Sequence, residues 1–204
     1  MKKHFELTKE FKINFSGVKL FRIKATVKSK YAEVGDLGGW IEKEENLSGD
    51  AWVSGNAEVS GNAWVYGNAW VSGNARVSGN AWVSGNAEVY GNAEVSGNAE
   101  VSGNAWVYGN AWVSGNARVS GNAEVSGDAD TKSNNDYCCF QNFGSTNRTT
   151  TFFKEKNSKV KVSCGCFSGS IEEFEKQVKE THGEGKHAKE YLSIIEVVKI
   201  KFGL

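Results

Sequence analysis

The chain has 204 residues, 24 basic and 24 acidic side chains and no proline. A net charge of zero argues against a general nucleic-acid binder, which carries a basic patch or a high pI. No apolar run approaches the roughly 18 residues of a membrane span, and the start Met1-Lys2-Lys3-His4-Phe5-Glu6 lacks the apolar core of a signal peptide, so a soluble protein of the cytosol is expected.

Residues 1–38 read as a small β-rich N-terminal cap. Lys19 to Val27 alternates, with Phe21, Ile23, Ala25 and Val27 on one face, the pattern of a half-buried strand. Phe5 and Leu7, then Phe11, Ile13 and Phe15, suggest one or two more strands. Past the cap, Gly39-Trp40-Ile41 already falls into the phase of a repeat that begins downstream, and Leu47 takes a position that valine holds later.

From Ala51 to Asp128 six residues repeat thirteen times as Ala-x-Val-(Ser/Tyr)-Gly-(Asn/Asp). Alanine and valine stand two apart, so in an extended segment both face one side and x faces the other. Glycine, then asparagine or aspartate, supplies a corner at little steric cost. Corners every six residues are too close for hairpins of useful length. They suit a solenoid whose coil is a triangle of three hexads, about 18 residues per turn. Residues 39–131 are therefore expected to form a parallel β-solenoid with valine and alanine inside.

An 18-residue coil sorts the x residues into three outward rows. One reads Trp52, Trp70, Glu88, Trp106, Glu124; the second Trp40, Glu58, Arg76, Glu94, Trp112, Asp130; the third Trp64, Trp82, Glu100, Arg118. The rows predict an alternating ladder Glu58-Arg76-Glu94, stacked pairs Trp52/Trp70 and Trp64/Trp82, and stacked Tyr90 and Tyr108 at a corner. All seven tryptophans are in outward phase. Exposed apolar surface of that size marks an interface unless the chain's own termini cover it, and tryptophan is a favoured anchor. Trp52, Trp64, Trp70, Trp82, Trp106 and Trp112 are the candidate partner-binding residues. Charge is uneven: residues 47–131 carry two basic against eight acidic residues, residues 1–46 ten basic against seven acidic. That allows basic termini to lie on an acidic solenoid.

Residues 132–149 are polar and repeat-free and read as a linker. Residues 150–204 read as a ββαα module. Thr150–Lys154 and Val160–Ser163 flank a turn at Lys156-Asn157-Ser158-Lys159. Ser170-Ile171-Glu172-Glu173 is a capping box that opens a helix with Ile171, Phe174 and Val178 on its apolar stripe, and His182-Gly183 ends it. A second helix spans about 186–201, with Ala188, Tyr191, Leu192, Ile195 and Val198 on one face. So small a module has little core of its own. It is expected to pack on the solenoid or on its copy in a homo-oligomer, a dimer or trimer, through Phe174, Tyr191, Leu192 and Ile195.

The hexads resemble those of the hexapeptide-repeat proteins, in which an aliphatic residue is followed four positions on by a small one. Val53/Ala57 through Val125/Ala129 match without interruption. The resemblance implies a left-handed parallel β-helix. Arg22-Ile23-Lys24-Ala25 and Gly35-Asp36-Leu37-Gly38-Gly39-Trp40-Ile41-Glu42 look like the N-terminal segment of such proteins common in phages and prophages. Cys164-Gly165-Cys166-Phe167-Ser168-Gly169, followed by Thr181-His182-Gly183, is similar to their tail. The implication is a phage-derived protein of the host bacterial cytosol; no mechanism comes with it.

Most chemistries find no residues. Hexapeptide acyltransferases use a histidine near a subunit interface, and the carbonic anhydrases of that fold need three histidine ligands from the solenoid, yet His4, His182 and His187 all lie outside the repeat. There is no phosphate loop or dinucleotide fingerprint in context. Cys138, Cys139, Cys164 and Cys166 are a weak zinc set, without the usual Cys-x2-Cys spacing, and free thiols are the expectation in a reducing compartment. No cofactor is expected. The reading is a non-enzymatic binding protein, acting on a host protein such as a defence component. A ligand-sequestering (nucleotide) protein, a structural or polymer-forming element and a divergent acyltransferase are the alternatives.

Overall fold

The computed structural model describes residues 3–204. The chain opens with a hairpin of β1 (Phe5–Ile13) and β2 (Lys19–Ala25), antiparallel from Phe5 opposite Ala25 to Ile13 opposite Lys19. Its turn is held by the Asn14 side-chain oxygen, which accepts from the backbone N–H of Ser16 and Val18. β3 (Leu37–Ile41) pairs antiparallel with β2 and parallel with the first coil, Trp40 lying opposite Glu58 and Ile41 opposite Val59. It is both the last strand of the cap and a rung of the solenoid. Gly38 and Gly39 make the seam possible. A Cβ on Gly38 would come within 2.5 Å of Ile23 and one on Gly39 within 2.7 Å of Val53.

Fourteen two-residue strands come next, from β4 (Trp52–Val53) to β17 (Asp130–Thr131). They stack in parallel into three sheets of roughly five coils, and the cap hairpin extends one of them to eight strands. Each residue pairs with the one 18 positions on: Glu58 with Arg76, Trp64 with Trp82, Glu88 with Trp106. Every repeat alanine and valine from Ala51 to Ala129 is buried, in one continuous core. Burying a valine stabilises by about 1.5–3 kcal/mol, and here the gain recurs three times per coil. Leu47 does take a valine position, bridged in parallel to Val65.

The corners explain why Gly-(Asn/Asp) recurs in every hexad. From Gly55 to Gly127 the corner glycines hold φ between +61° and +73°, a region costly for side chains with a Cβ. They also stack: a Cβ on Gly97 would lie 2.9 Å from the backbone nitrogen of Gly115. The asparagines beside them form three columns, each side-chain NH₂ donating to the carbonyl oxygen one coil on, as from Asn68 to Asn86 to Asn104 to Asn122 at 2.9–3.1 Å.

Beyond the solenoid the sequence reading needs correction. Residues 132–149 are not a linker and the module is not ββαα. β18 (Tyr137–Phe143), β19 (Arg148–Lys154), β20 (Val160–Cys164) and β21 (Phe167–Ser170) form a four-stranded antiparallel meander. α1 (Ile171–His182) and α2 (Lys186–Phe202) pack against it. The sheet has two dressed faces. Tyr137, Cys139 and Phe153 join the solenoid core, while Cys138, Phe140 and Phe152 join a second core beneath the helices. The sheet therefore closes the open end of the solenoid, where bare core and strand edges would otherwise meet water. The helix ends are as expected. Ser170 accepts from the Glu173 N–H at 3.2 Å, and Glu173 accepts from the Ser170 N–H at 2.7 Å.

Candidate functional site

The outward tryptophans divide by what covers them. Trp52 is 2% exposed and Trp40 8%. His4 sits beside Trp52, its Nε2 at 2.7 Å from the Ala51 carbonyl. Lys12 and Arg22 lie over the Trp40 ring at 4.7 and 5.3 Å. Tyr31 stacks on the half-buried Trp70 at 5.6 Å and anchors its hydroxyl on the Asn68 carbonyl. As partner-binding candidates, Trp52 and Trp70 are thus corrected: the chain's own N-terminal cap occupies them. Trp64, Trp82, Trp106 and Trp112 remain exposed, at 38–46%.

Trp64 and Trp82 lie one coil apart on the solenoid's own four-stranded parallel sheet, above Glu100 and Arg118. They do not stack as expected. Their rings meet edge-on, with centroids 6.3 Å apart and planes at 87°. Trp64 stacks instead on Tyr66 at 4.2 Å and donates its indole N–H to Ser48 at 2.8 Å. Trp106 sits between Glu88 and Glu124 on the five-stranded sheet. Trp112 lies opposite Glu94, with the Lys156 ammonium 6.0 Å from its ring.

The charge rows are half as expected. Arg76 binds Glu94 at 3.1 Å and Arg118 binds Glu100 at 3.3 Å, but Glu58 is taken by Lys12 of the cap at 2.8 Å. That contact is one place where a basic terminus meets the acidic solenoid. Tyr90 and Tyr108 stack with ring centroids 4.9 Å apart and planes nearly parallel. Tyr108 donates its hydroxyl proton to Glu124. Burial, with the Glu124 hydrogen bond, pushes its phenol up to about 12.

The residues expected at a contact between copies are mostly consumed inside the module. Phe174, Tyr191 and Ile195 are buried in its core, and Leu192 is half-buried at the core's edge. The amphipathic stripe lies where the spacing places it; its partner is the four-stranded sheet, whose first strand the polar flanks conceal. The cysteines do not converge on a metal. Cys138 and Cys139 are neighbours on a strand and so face opposite cores, Cys164 is buried beside Thr150, and Cys166 is exposed in a turn. Among the described residues no group of three or more His, Cys, Asp or Glu side chains is placed to hold a metal ion.

One site escapes the sequence reading. The sheet and α1 enclose a half-open cavity of about 360 Å³, reached by Cys164, Cys166 and Phe167 from one segment and by Thr181 and His182 from another. Both segments stand out in the sequence as parts of the tail. What cannot be read there is that Arg148, from the supposed linker, and Tyr191 complete the lining.

Four windows of the repeat, residues 57–73, 69–85, 99–115 and 111–127, match the family model of the YdcK β-solenoid repeat. The chain is similar to that family along these windows, all within the solenoid. No curated protein matches the chain. Coils stacked in the structure and a repeat that matches a solenoid family agree: this is a repeat β-solenoid protein with a two-helix C-terminal end.

Proposed function

We propose that this β-solenoid is a non-catalytic binding protein, and that the face carrying Trp64 and Trp82 docks a partner protein. The observation that carries the reading is selective cover. The cap shields Trp40, Trp52 and Trp70, while Trp64 and Trp82 stay exposed side by side. Paired indoles beside an acidic and a basic side chain supply an apolar centre and a polar rim, the usual anatomy of an interface. The solenoid itself offers no acid–base group of the acyltransferase kind: its rows hold no histidine, and His4 is buried against Ala51.

On the same reading the coil is left-handed and of the hexapeptide class, the protein is phage-derived, and its partner is a host protein met in the bacterial cytosol. Self-association into a dimer or trimer, on this reading, does not use the stripe of α1 and α2, which is already buried within the module. Among the described residues no helix is long and apolar enough to cross a membrane. The test is affinity capture from bacterial lysate with the full chain and with Trp64→Ser/Trp82→Ser. A protein retained by the first and lost by the second supports the reading; identical captures from both refute it.

A further inference from the structure

We propose that the cavity of the C-terminal module binds a small organic anion, a carboxylate or phosphate carried on a flat apolar body. The proposal stands apart from the solenoid face and concerns a different end of the molecule.

The anion would be held by Arg148. Its guanidinium lies across the turn at Gly165, where a Cβ would come within 2.7 Å of Nη1. Gly165, at φ +60°, makes the hairpin turn and leaves room for the exposed arginine side chain to lie over it. Among the described residues no carboxylate pairs with Arg148. Two acidic side chains on the neighbouring elements are engaged elsewhere. Glu173 closes the cap of α1, and Glu190 contacts His187 at 3.1 Å and accepts from the Gly144 N–H at 3.2 Å. The exposed Arg148 guanidinium, with no carboxylate beside it, is a fork for a planar or tetrahedral anion.

The apolar body would lie on aromatic walls. Phe167 and Phe174 meet at 5.1 Å, Phe174 and Tyr191 at 5.5 Å, and the His182 ring stacks on Tyr191 at 6.0 Å with planes at 23°. Gln177 donates to the Thr181 hydroxyl at 2.9 Å, which leaves that hydroxyl's proton and the amide oxygen to address a ligand. A few convergent polar groups over an apolar floor is the composition of small-molecule sites, and about 360 Å³ is near their lower limit. One ring system and one anionic group fill such a space; a polymer does not enter it.

Cys166, exposed at the lining, is a built-in reporter. The experiment titrates the full chain with phenyl phosphate and benzoate as probes, with inorganic phosphate and phenol as controls. It reads backbone amide shifts and the rate of Cys166 alkylation. At least one aryl anion should shift Gly165, Cys166 and His182 and slow alkylation at roughly millimolar concentration, with inorganic phosphate and phenol at least about tenfold weaker. Arg148→Gln should weaken the aryl anion by about tenfold or more, the size of a lost charge-assisted hydrogen bond, with an unchanged amide spectrum outside the cavity. No shift in the cavity with either aryl anion overturns the proposal. So does inorganic phosphate that binds equally well, or Arg148→Gln that binds like the native chain. Which aryl anion wins separates a phosphate ligand from a carboxylate.

Discussion

At Gly97 two independent demands meet in one residue. Its φ is +68°, and the next coil leaves a Cβ only 2.9 Å from the Gly115 nitrogen. Gly127 has the same corner geometry, φ +63°, but faces only the flexible end of Lys161. Gly127→Ala should therefore cost the dihedral term alone, about 1–2 kcal/mol. Gly97→Ala should cost at least about 1 kcal/mol more, since backbone must move to admit the methyl group. Urea melts of the two variants check this, and equal losses would mean that coil contact does not enforce the glycine column.

Tyr108 makes a prediction about pH. Its phenol is pushed up to about 12 by burial, then by the Glu124 hydrogen bond. The unfolded chain loses this proton near pH 10, the folded one later. The neutral phenol's stabilisation is thus present below about pH 10 and lost as pH rises through about 12. Tyr108→Phe should flatten the fall in stability across that window in urea melts, and an unchanged slope would contradict the assignment. Residues such as these are partly legible in sequence. The tyrosine stack and the glycine corners follow from period alone, because stacking repeats every 18 residues. The fate of Trp52 and Trp70 does not. An outward phase says nothing about what lies over a ring, and His4 and Tyr31 reach them from far along the chain.

At the scale of elements, the solenoid strands and both helices are readable because each carries a period or a cap. α1 depends on its cap. Ser170 and Glu173 satisfy two N–H groups that the first turn would leave open. Ser170→Ala should lower the thermal stability of the C-terminal module by about 1 kcal/mol, read from melts followed at helical wavelengths; an unshifted transition would mean that sheet packing alone sets the helix. β18 is hidden by composition. Its apolar run Tyr137-Cys138-Cys139-Phe140 is four residues long, set among asparagine, serine and glutamine, and its alternation serves two cores rather than one. Without that strand the helix stripe has no surface of its own chain to lie on, and so points to a second copy. The cavity is invisible for the same reason, since Arg148 begins the neighbouring strand β19.

At the scale of the whole molecule, one end of the solenoid is sealed by a hairpin that continues a sheet and the other by a sheet that crosses the last coil. At that second end the Glu124 carboxylate accepts from Ser163 at 2.9 Å, the Glu124 backbone N–H donates to Thr151 at 3.0 Å, and Tyr137 donates to the Arg118 carbonyl. Between the caps, the face of Trp64 and Trp82 is left open. The most direct measurement of its role is oxidative footprinting of each tryptophan by mass spectrometry, on the isolated chain and on the chain in bacterial lysate. The isolated chain should be oxidised at Trp64, Trp82, Trp106 and Trp112 and protected at Trp40 and Trp52. In lysate, Trp64 and Trp82 should become protected while Trp106 and Trp112 stay reactive. Trp64 and Trp82 as reactive in lysate as in isolation would contradict a docking role for that face.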